Sequence, residues 1–187
     1  MANSTVYLND YSSPLLYVSP RQINFQVPWE LAGVSSASLT VVTNGIPGDP
    51  VIVNLSSVAP ALLSTNQQGS GQGAILLAGT ATVADAAHPV NRTDTISIFC
   101  LGLGPVSSMA VSGAASPSNP LLTTQAQPTV TIGGVPGSVL FSGLAPGFVG
   151  VYQVNVRLPL NAPAGSAVPV VLQIGGVYSN TVTIGIQ

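Results

Sequence analysis

The sequence predicts an all-β protein, an antiparallel β-sandwich that occurs twice, as one complete copy and one partial or rearranged copy. Three observations predict it. Glycine (20 residues) and proline (16 residues) divide the 187-residue chain into short runs rich in Val, Ile, Thr and Leu. Such runs between turn residues are typical of sandwiches and barrels. Several runs also alternate apolar and polar residues, and the pattern of the first third returns at the C-terminus.

Strict alternation is clearest in "VYQVNVRLP", "TISIFC" and "TVTIGI". A period of two with one apolar face predicts an antiparallel sheet that covers a core on one side. In the second of these runs Cys100 shares its face with Ile96 and Ile98, so a buried, unreactive thiol is predicted. The predicted inward residues of the other two runs are Tyr152, Val154, Val156 and Leu158, and Val182, Ile184 and Ile186.

Turn residues separate these runs at four places where Gly, Asn or Asp can adopt a positive φ. Hairpin turns are therefore predicted at residues 9–14, 44–50, 133–137 and 175–180.

An internal repeat relates residues 4–58 to residues 128–187. Thr5 matches Thr129 at an offset of 124, and Gln22 matches Gln153 at an offset of 131 after a short insertion. Turns, prolines and alternation agree along the whole length, as expected of a duplicated unit.

The repeat predicts three regions in the chain. Residues 1–58 form the partial copy, and residues 91–187 form a complete immunoglobulin-like sandwich, because the second copy together with the strand near residue 95 has the size of such a domain. Residues 59–90 are a connecting segment that either completes the first sandwich or leaves it with an unfilled edge.

Charged residues make up 4% of the chain, and the only basic residues besides His88 are three arginines. So few positive charges argue against binding to nucleic acid or to an anionic membrane surface. No apolar run is long enough for a membrane-spanning helix. The N-terminus lacks the features of a secretory signal, so for an exported protein we expect a signal upstream of this chain or already removed.

Three long motifs, "DTISIFCLGLGPV", "PTVTIGGVPGSVLFSGLAPGFVGVYQVNVRLP" and "GSAVPVVLQIGGVYSNTVTIGIQ", together with "LLYVSPRQINFQVPWEL", resemble an uncharacterised C-terminal domain of large secreted acidobacterial proteins. The "GLG" after a strand is similar to the IPT/TIG group of immunoglobulin-like folds. The resemblance implies an extracellular or cell-surface β-sandwich module without established chemistry.

Catalytic candidates are few, since the chain has one His, one Cys and five acids. Asp85, His88, Arg92 and Asp94 form the best local cluster, which makes a hydrolase or a metal site a distant alternative to a polar loop. The sequence predicts no enzyme, no cofactor and no metal.

The stretch "QINFQVP" (22–28) returns as "QVNVRLP" (153–159) and carries the candidate ligand contacts. One hypothesis is that its shared amides tie an adjoining loop to the sheet. The alternative is a polysaccharide-binding module in which sugars stack on Trp29, which otherwise packs at a domain junction. The candidate contacts are Trp29, Gln22, Asn24, Gln153 and Asn155.

The function that the sequence favours is a non-catalytic structural or adhesive module. A neutral surface and an incomplete sandwich favour association with other copies or with neighbouring domains, including fibres formed when one copy supplies a strand to another. Asn3, Asn54 and Asn91 lie in glycosylation sequons, which matter only in a host that glycosylates.

Overall fold

The computed structural model of the chain describes residues 3–187, and the chain is almost wholly β. Its strands pair antiparallel into three five-stranded sheets and one two-stranded hairpin, and Trp29–Leu31 forms a single turn of 3-10 helix. This confirms the predicted all-β class. In chain order the strands are β1 (Ser4–Leu8), β2 (Tyr11–Ser13), β3 (Leu15–Val18), β4 (Ile23–Phe25), β5 (Ser36–Thr43), β6 (Ile46–Pro47), β7 (Val51–Asn54), β8 (Ala61–Leu62), β9 (Ile75–Leu77), β10 (Thr95–Leu101), β11 (Thr129–Ile132), β12 (Val135–Pro136), β13 (Ser138–Leu144), β14 (Tyr152–Arg157), β15 (Gly165–Ile174), β16 (Val177–Tyr178) and β17 (Val182–Ile186).

The three large sheets divide between two units, residues 3–58 and residues 59–187. The first unit holds the first sheet, ordered β2-β1-β5 with β6 and β7 both on β5, and the hairpin β3–β4. The second unit holds the second sheet, ordered β13-β14-β10 with β8 and β9 both on β10. It also holds the third sheet, ordered β12-β11-β15 with β16 and β17 both on β15.

The connecting segment 59–90 belongs to the second unit, because its strands β8 and β9 both pair with β10. The second unit therefore begins near residue 59 and not at residue 91. No strand of this segment pairs with a strand of the first unit in the described part of the chain. Of the two alternatives that the sequence left open, the structure shows the unfilled edge.

The first and third sheets have the same strand order and the same register. Val6 pairs with Val41 in the first sheet, and Val130 pairs with Leu172 in the third, which are the positions related by the sequence repeat. The hairpin β3–β4 corresponds in the same way to β13–β14. Both hairpins carry a register shift at one place, between Leu15 and Tyr17 and between Val139 and Phe141.

The predicted hairpin turns are confirmed. Asn44 and Gly45, Gly133 and Gly134, and Gly175 and Gly176 each have two successive positive φ angles. That conformation matches the right-handed twist of the strands that such a turn joins. Asn9 also adopts a positive φ between β1 and β2.

The second unit has a large apolar core between its two sheets, and the first unit has a small one. The alternation predicted from the sequence is confirmed in the second unit, where all the predicted inward residues of β10, β14 and β17 are buried. In the first unit only three apolar side chains form a buried cluster, namely Leu8, Leu31 and Ala37. A second sheet covers the third sheet, whereas only a short hairpin covers the first.

Candidate functional site

A groove of about 820 Å³ opens between the inner face of the first sheet and the hairpin β3–β4. Val6 of β1 and Val41 and Thr43 of β5 line one wall, and the hairpin from Val18 to Phe25 lines the other. We call it the first-unit groove. Its walls are mainly apolar, because strand alternation turns the same residues inward that the second unit uses for its core.

The outer edge of β4 lies beside this groove and has no partner strand within residues 3–187. The equivalent strand β14 has β13 on one edge and β10 on the other. The consequence appears in burial: Val154 and Val156 are 0% exposed, whereas Ile23 and Phe25 are only half-buried. The missing neighbour thus leaves both a row of backbone hydrogen-bonding groups and two apolar side chains incompletely covered.

The β7 edge of the first sheet also lacks a neighbour that the equivalent β17 edge of the third sheet has. Thr183 and Ile186 of β17 form parallel bridges with Gln72 and Val90, which lie in the chain ahead of β10. β7 forms no such bridge in the described residues, and its Ile52 is 71% exposed. Both open edges of the first unit therefore lie where a segment like residues 72–101 covers the second.

The repeated amides form the same hydrogen bond in both units. Gln22 Nε2 donates to Asn24 Oδ1 at 2.7 Å, and Gln153 Nε2 donates to Asn155 Oδ1 at 2.8 Å. In the second unit Ser97 Oγ of β10 also donates to Asn155 Oδ1, at 3.0 Å. The shared amide bond therefore lies within one segment of chain, and only Asn155, through Ser97, joins neighbouring strands; neither amide pair ties a loop to a sheet as the sequence suggested. Among residues 3–187, Asn24 Oδ1 has no such second donor.

The candidate contact residues do not converge on one surface depression. Gln22 lines the first-unit groove, whereas Trp29 lines a separate hollow of about 180 Å³ beside Met109 and Leu122. Trp29 is half-buried and packs against the core of the second unit. Its position is that of a residue at the junction between units.

Polar contacts fix this junction, and no sequence pattern predicts them. Gln26 is buried, and its Oε1 accepts a hydrogen bond from the Gly113 N–H at 2.8 Å. Ser112 Oγ accepts from the Trp29 N–H at 2.9 Å and donates to Glu30 Oε2 at 2.6 Å. The hydrogen bond from Ser112 lowers the pKa of Glu30. These residues lie more than 80 positions apart, so no local pattern relates them.

Asp85 and His88 lie together on an exposed loop, with 3.1 Å between Asp85 Oδ1 and His88 Nδ1. The same oxygen accepts from the backbone N–H groups of Ala87 and His88, and the bond from His88 lowers the pKa of Asp85. Asp94 instead accepts from Asn91, at 2.8 Å from the backbone N–H. Within residues 3–187 no three His, Cys, Asp or Glu side chains are grouped to hold a metal ion.

Arg92, the fourth member of that cluster, bonds to a different part of the chain. Its Nε donates to the carbonyl oxygen of Ala162 at 2.8 Å. The side chains of the cluster therefore make separate contacts, local ones for Asp85 and Asp94 and one to a distant part of the chain for Arg92.

Cys100 is buried, which confirms the prediction from alternation. Burial raises the pKa of its thiol to about 12. Neighbouring Tyr152 donates a hydrogen bond from its hydroxyl to the carbonyl oxygen of Gly104. Burial, and after it the proximity of Cys100, raises the pKa of Tyr152. A thiol with so high a pKa is almost entirely protonated at neutral pH and is a poor nucleophile.

No family model, curated protein or solved structure matches this chain. In the described part of the chain, no helix has the length and apolar character needed to cross a membrane.

Proposed function

We propose that this chain is a non-catalytic extracellular structural module that associates with other copies or with neighbouring modules by strand addition at its first unit. Residues 4–58 and 128–187 are copies of one immunoglobulin-like unit, and only the second copy is completed, by the strands that precede it. The observation that carries the proposal is the free edge of β4 beside the first-unit groove, at the place where β10 covers β14.

Natural proteins cover long open strand edges or protect edges with short strands, charge, proline or a bulge. β4 is short, with three residues, but two of its side chains are apolar and only half-buried. Here the hairpin has one bulge, which lies in β3 and not on the free strand. The whole chain has no lysine to protect an edge. An extended segment added to β4 supplies partners for its backbone groups and covers the half-buried Ile23 and Phe25. Contacts of this kind between different surfaces extend into filaments when they do not close into rings.

Sedimentation velocity over a wide concentration range tests self-association, with electron microscopy of the concentrated sample to detect filaments. We expect concentration-dependent oligomers that are lost in Ile23→Lys and in Thr43→Lys, which place a charge in the groove. Leu160→Lys changes an exposed residue of the second unit and is the matched control. A chain that stays monomeric at all concentrations contradicts self-association.

Polysaccharide binding is the second candidate, and one observation favours it. Tyr17 pairs with Asn24 across the hairpin and is 52% exposed, so an aromatic ring lies beside the exposed amides of Asn24 and Gln22. Aromatic faces with nearby amides are suited to sugar rings, but Trp29 packs against the second unit instead. Pull-down on insoluble polysaccharides, with Tyr17→Ala as the test variant and Tyr178→Ala as the control, distinguishes this candidate from strand addition.

A further inference from the structure

We propose that the first-unit groove binds an uncharged β-strand that runs antiparallel to β4. This strand carries Ser or Thr opposite Asn24 and aliphatic residues opposite Ile23 and Phe25. The inference rests on the proposed function and specifies the chemistry of its partner. The second unit supplies the template, because β10 occupies the equivalent place there.

The register of the bound strand follows from the equivalence of the two hairpins. Ile23, Asn24 and Phe25 correspond to Val154, Asn155 and Val156, and the matching register shifts in β3 and β13 fix this alignment. In the second unit the three equivalent residues pair antiparallel with Ile98, Ser97 and Ile96 of β10. In the N- to C-terminal direction, a strand bound to β4 therefore has an aliphatic residue opposite Phe25, a hydroxyl residue opposite Asn24 and an aliphatic residue opposite Ile23.

The Ser or Thr opposite Asn24 is inferred from the Asn24 amide oxygen, whose second lone pair can accept one more hydrogen bond. Asn155 Oδ1 accepts from Gln153 on its own strand and from Ser97 on the neighbouring strand. Asn24 Oδ1 accepts from Gln22 alone among residues 3–187, at nearly the same distance as in the second unit. Gln22 therefore holds the Asn24 side chain in the orientation that receives a donor across the strand pair, before any strand binds.

The aliphatic residues opposite Ile23 and Phe25 are inferred from the side chains that fill the equivalent space in the second unit. Ile96 and Ile98 are fully buried between the second and third sheets. In the first unit the corresponding space is the groove, whose walls include Val6, Val41 and Phe25. A charged side chain directed into such a space pays a large desolvation penalty, so the groove selects against it. Arg21, at the tip of the hairpin, is the one charged residue among the lining side chains.

A peptide with the sequence of residues 95–102, which carries no charged side chain, tests the proposal, with Cys100→Ala to prevent oxidation. Fluorescence anisotropy of the labelled peptide, titrated with the full chain, measures binding. We expect saturable binding that is lost in the Ile96→Asp/Ile98→Asp peptide and in the Thr43→Lys protein, and retained in the Leu160→Lys protein. The Ser97→Ala peptide should bind about five- to tenfold more weakly, the effect of one net hydrogen bond.

A double-mutant cycle tests the contact with Asn24 directly. The Asn24→Ala protein should bind the parent peptide about five- to tenfold more weakly and should no longer distinguish it from the Ser97→Ala peptide. Absence of binding at millimolar protein overturns the proposal, as does equal binding of both peptides by the unaltered protein. Circular dichroism and urea unfolding of Asn24→Ala and Thr43→Lys establish that both variants are folded.

The outcomes separate this inference from the proposed function. Peptide binding by a chain that stays monomeric supports the inference and contradicts self-association. Oligomers that neither bind the peptide nor dissociate in its presence support self-association and overturn the inference. Retention on polysaccharide that Tyr17→Ala abolishes, without peptide binding, overturns it as well.

Discussion

Ser97 Oγ donates a 3.0 Å hydrogen bond to Asn155 Oδ1 and so joins β10 to β14 at the centre of the second sheet. The repeated Asn24 carries the same intrastrand bond from Gln22 but has no neighbouring strand on that side within residues 3–187. One motif thus occupies two environments in one chain, a covered strand and an open edge.

Loss of the Ser97 hydroxyl should destabilise the second unit. Ser97 is buried, and Ser97→Ala removes a cross-strand hydrogen bond while Asn155 keeps its bond from Gln153. We expect the free energy of unfolding to fall by about 0.5–1.5 kcal/mol, measured by urea denaturation. Ser12→Ala, at an exposed strand position, is the control and should change it by less than about 0.5 kcal/mol. Equal effects of both substitutions would contradict a role for this bond.

Truncation of equivalent apolar positions should have unequal effects in the two units. Ile98 is fully buried, and Ile98→Ala should cost about 2–5 kcal/mol of unfolding free energy. Ile23 is only partly buried beside the open groove, and Ile23→Ala should cost less than Ile98→Ala, about 1–2 kcal/mol, because part of its surface stays in water. Measurements are made at low protein concentration, where the groove is free. A large cost at Ile23 would show that its side chain is already well covered.

Gly102 should tolerate no side chain. It has a φ of +73°, and a Cβ there would collide with the backbone carbonyl of Ala59. The left-handed conformation costs a non-glycine residue on the order of 1–3 kcal/mol, and the collision adds to it. Gly79→Ala is the matched control, since Gly79 has a φ of +77° with open space around it. In thermal unfolding, Gly102→Ala should have a much lower melting temperature than Gly79→Ala. Similar melting temperatures would contradict the predicted collision.

Cys100 should make stability fall at alkaline pH. Its pKa is raised from 9.0 to about 12 on folding, so the folded state holds the proton more tightly than the unfolded state. This contribution is complete below pH 9 and is lost as the pH rises towards 12. Urea denaturation at several pH values should show the free energy of unfolding falling above pH 9. In Cys100→Ala this free energy should fall less steeply with pH. A smaller decline should remain in the variant, because burial still raises the pKa of Tyr152. Identical slopes would count against burial of the thiol.

The local features of this fold could be predicted from the sequence because each depends on neighbouring residues. Alternation identifies which side chains of β10, β14 and β17 face a core, and paired glycines mark the turns. The Gln-x-Asn repeat likewise identifies equivalent strands. Its hydrogen-bond partner could not be predicted, because Ser97 lies 58 residues from Asn155 and meets it only through strand pairing.

The all-β class, the inward faces, the turns and the similarity of residues 4–58 to residues 128–187 all follow from the order of amino acids. Three features become visible only in the folded chain: residues 59–90 join the second unit, Trp29 packs at the junction, and β4 keeps an open edge. The physical reason is that alternation fixes the direction of side chains along a strand, whereas the choice of neighbouring strand depends on contacts between residues far apart in the chain.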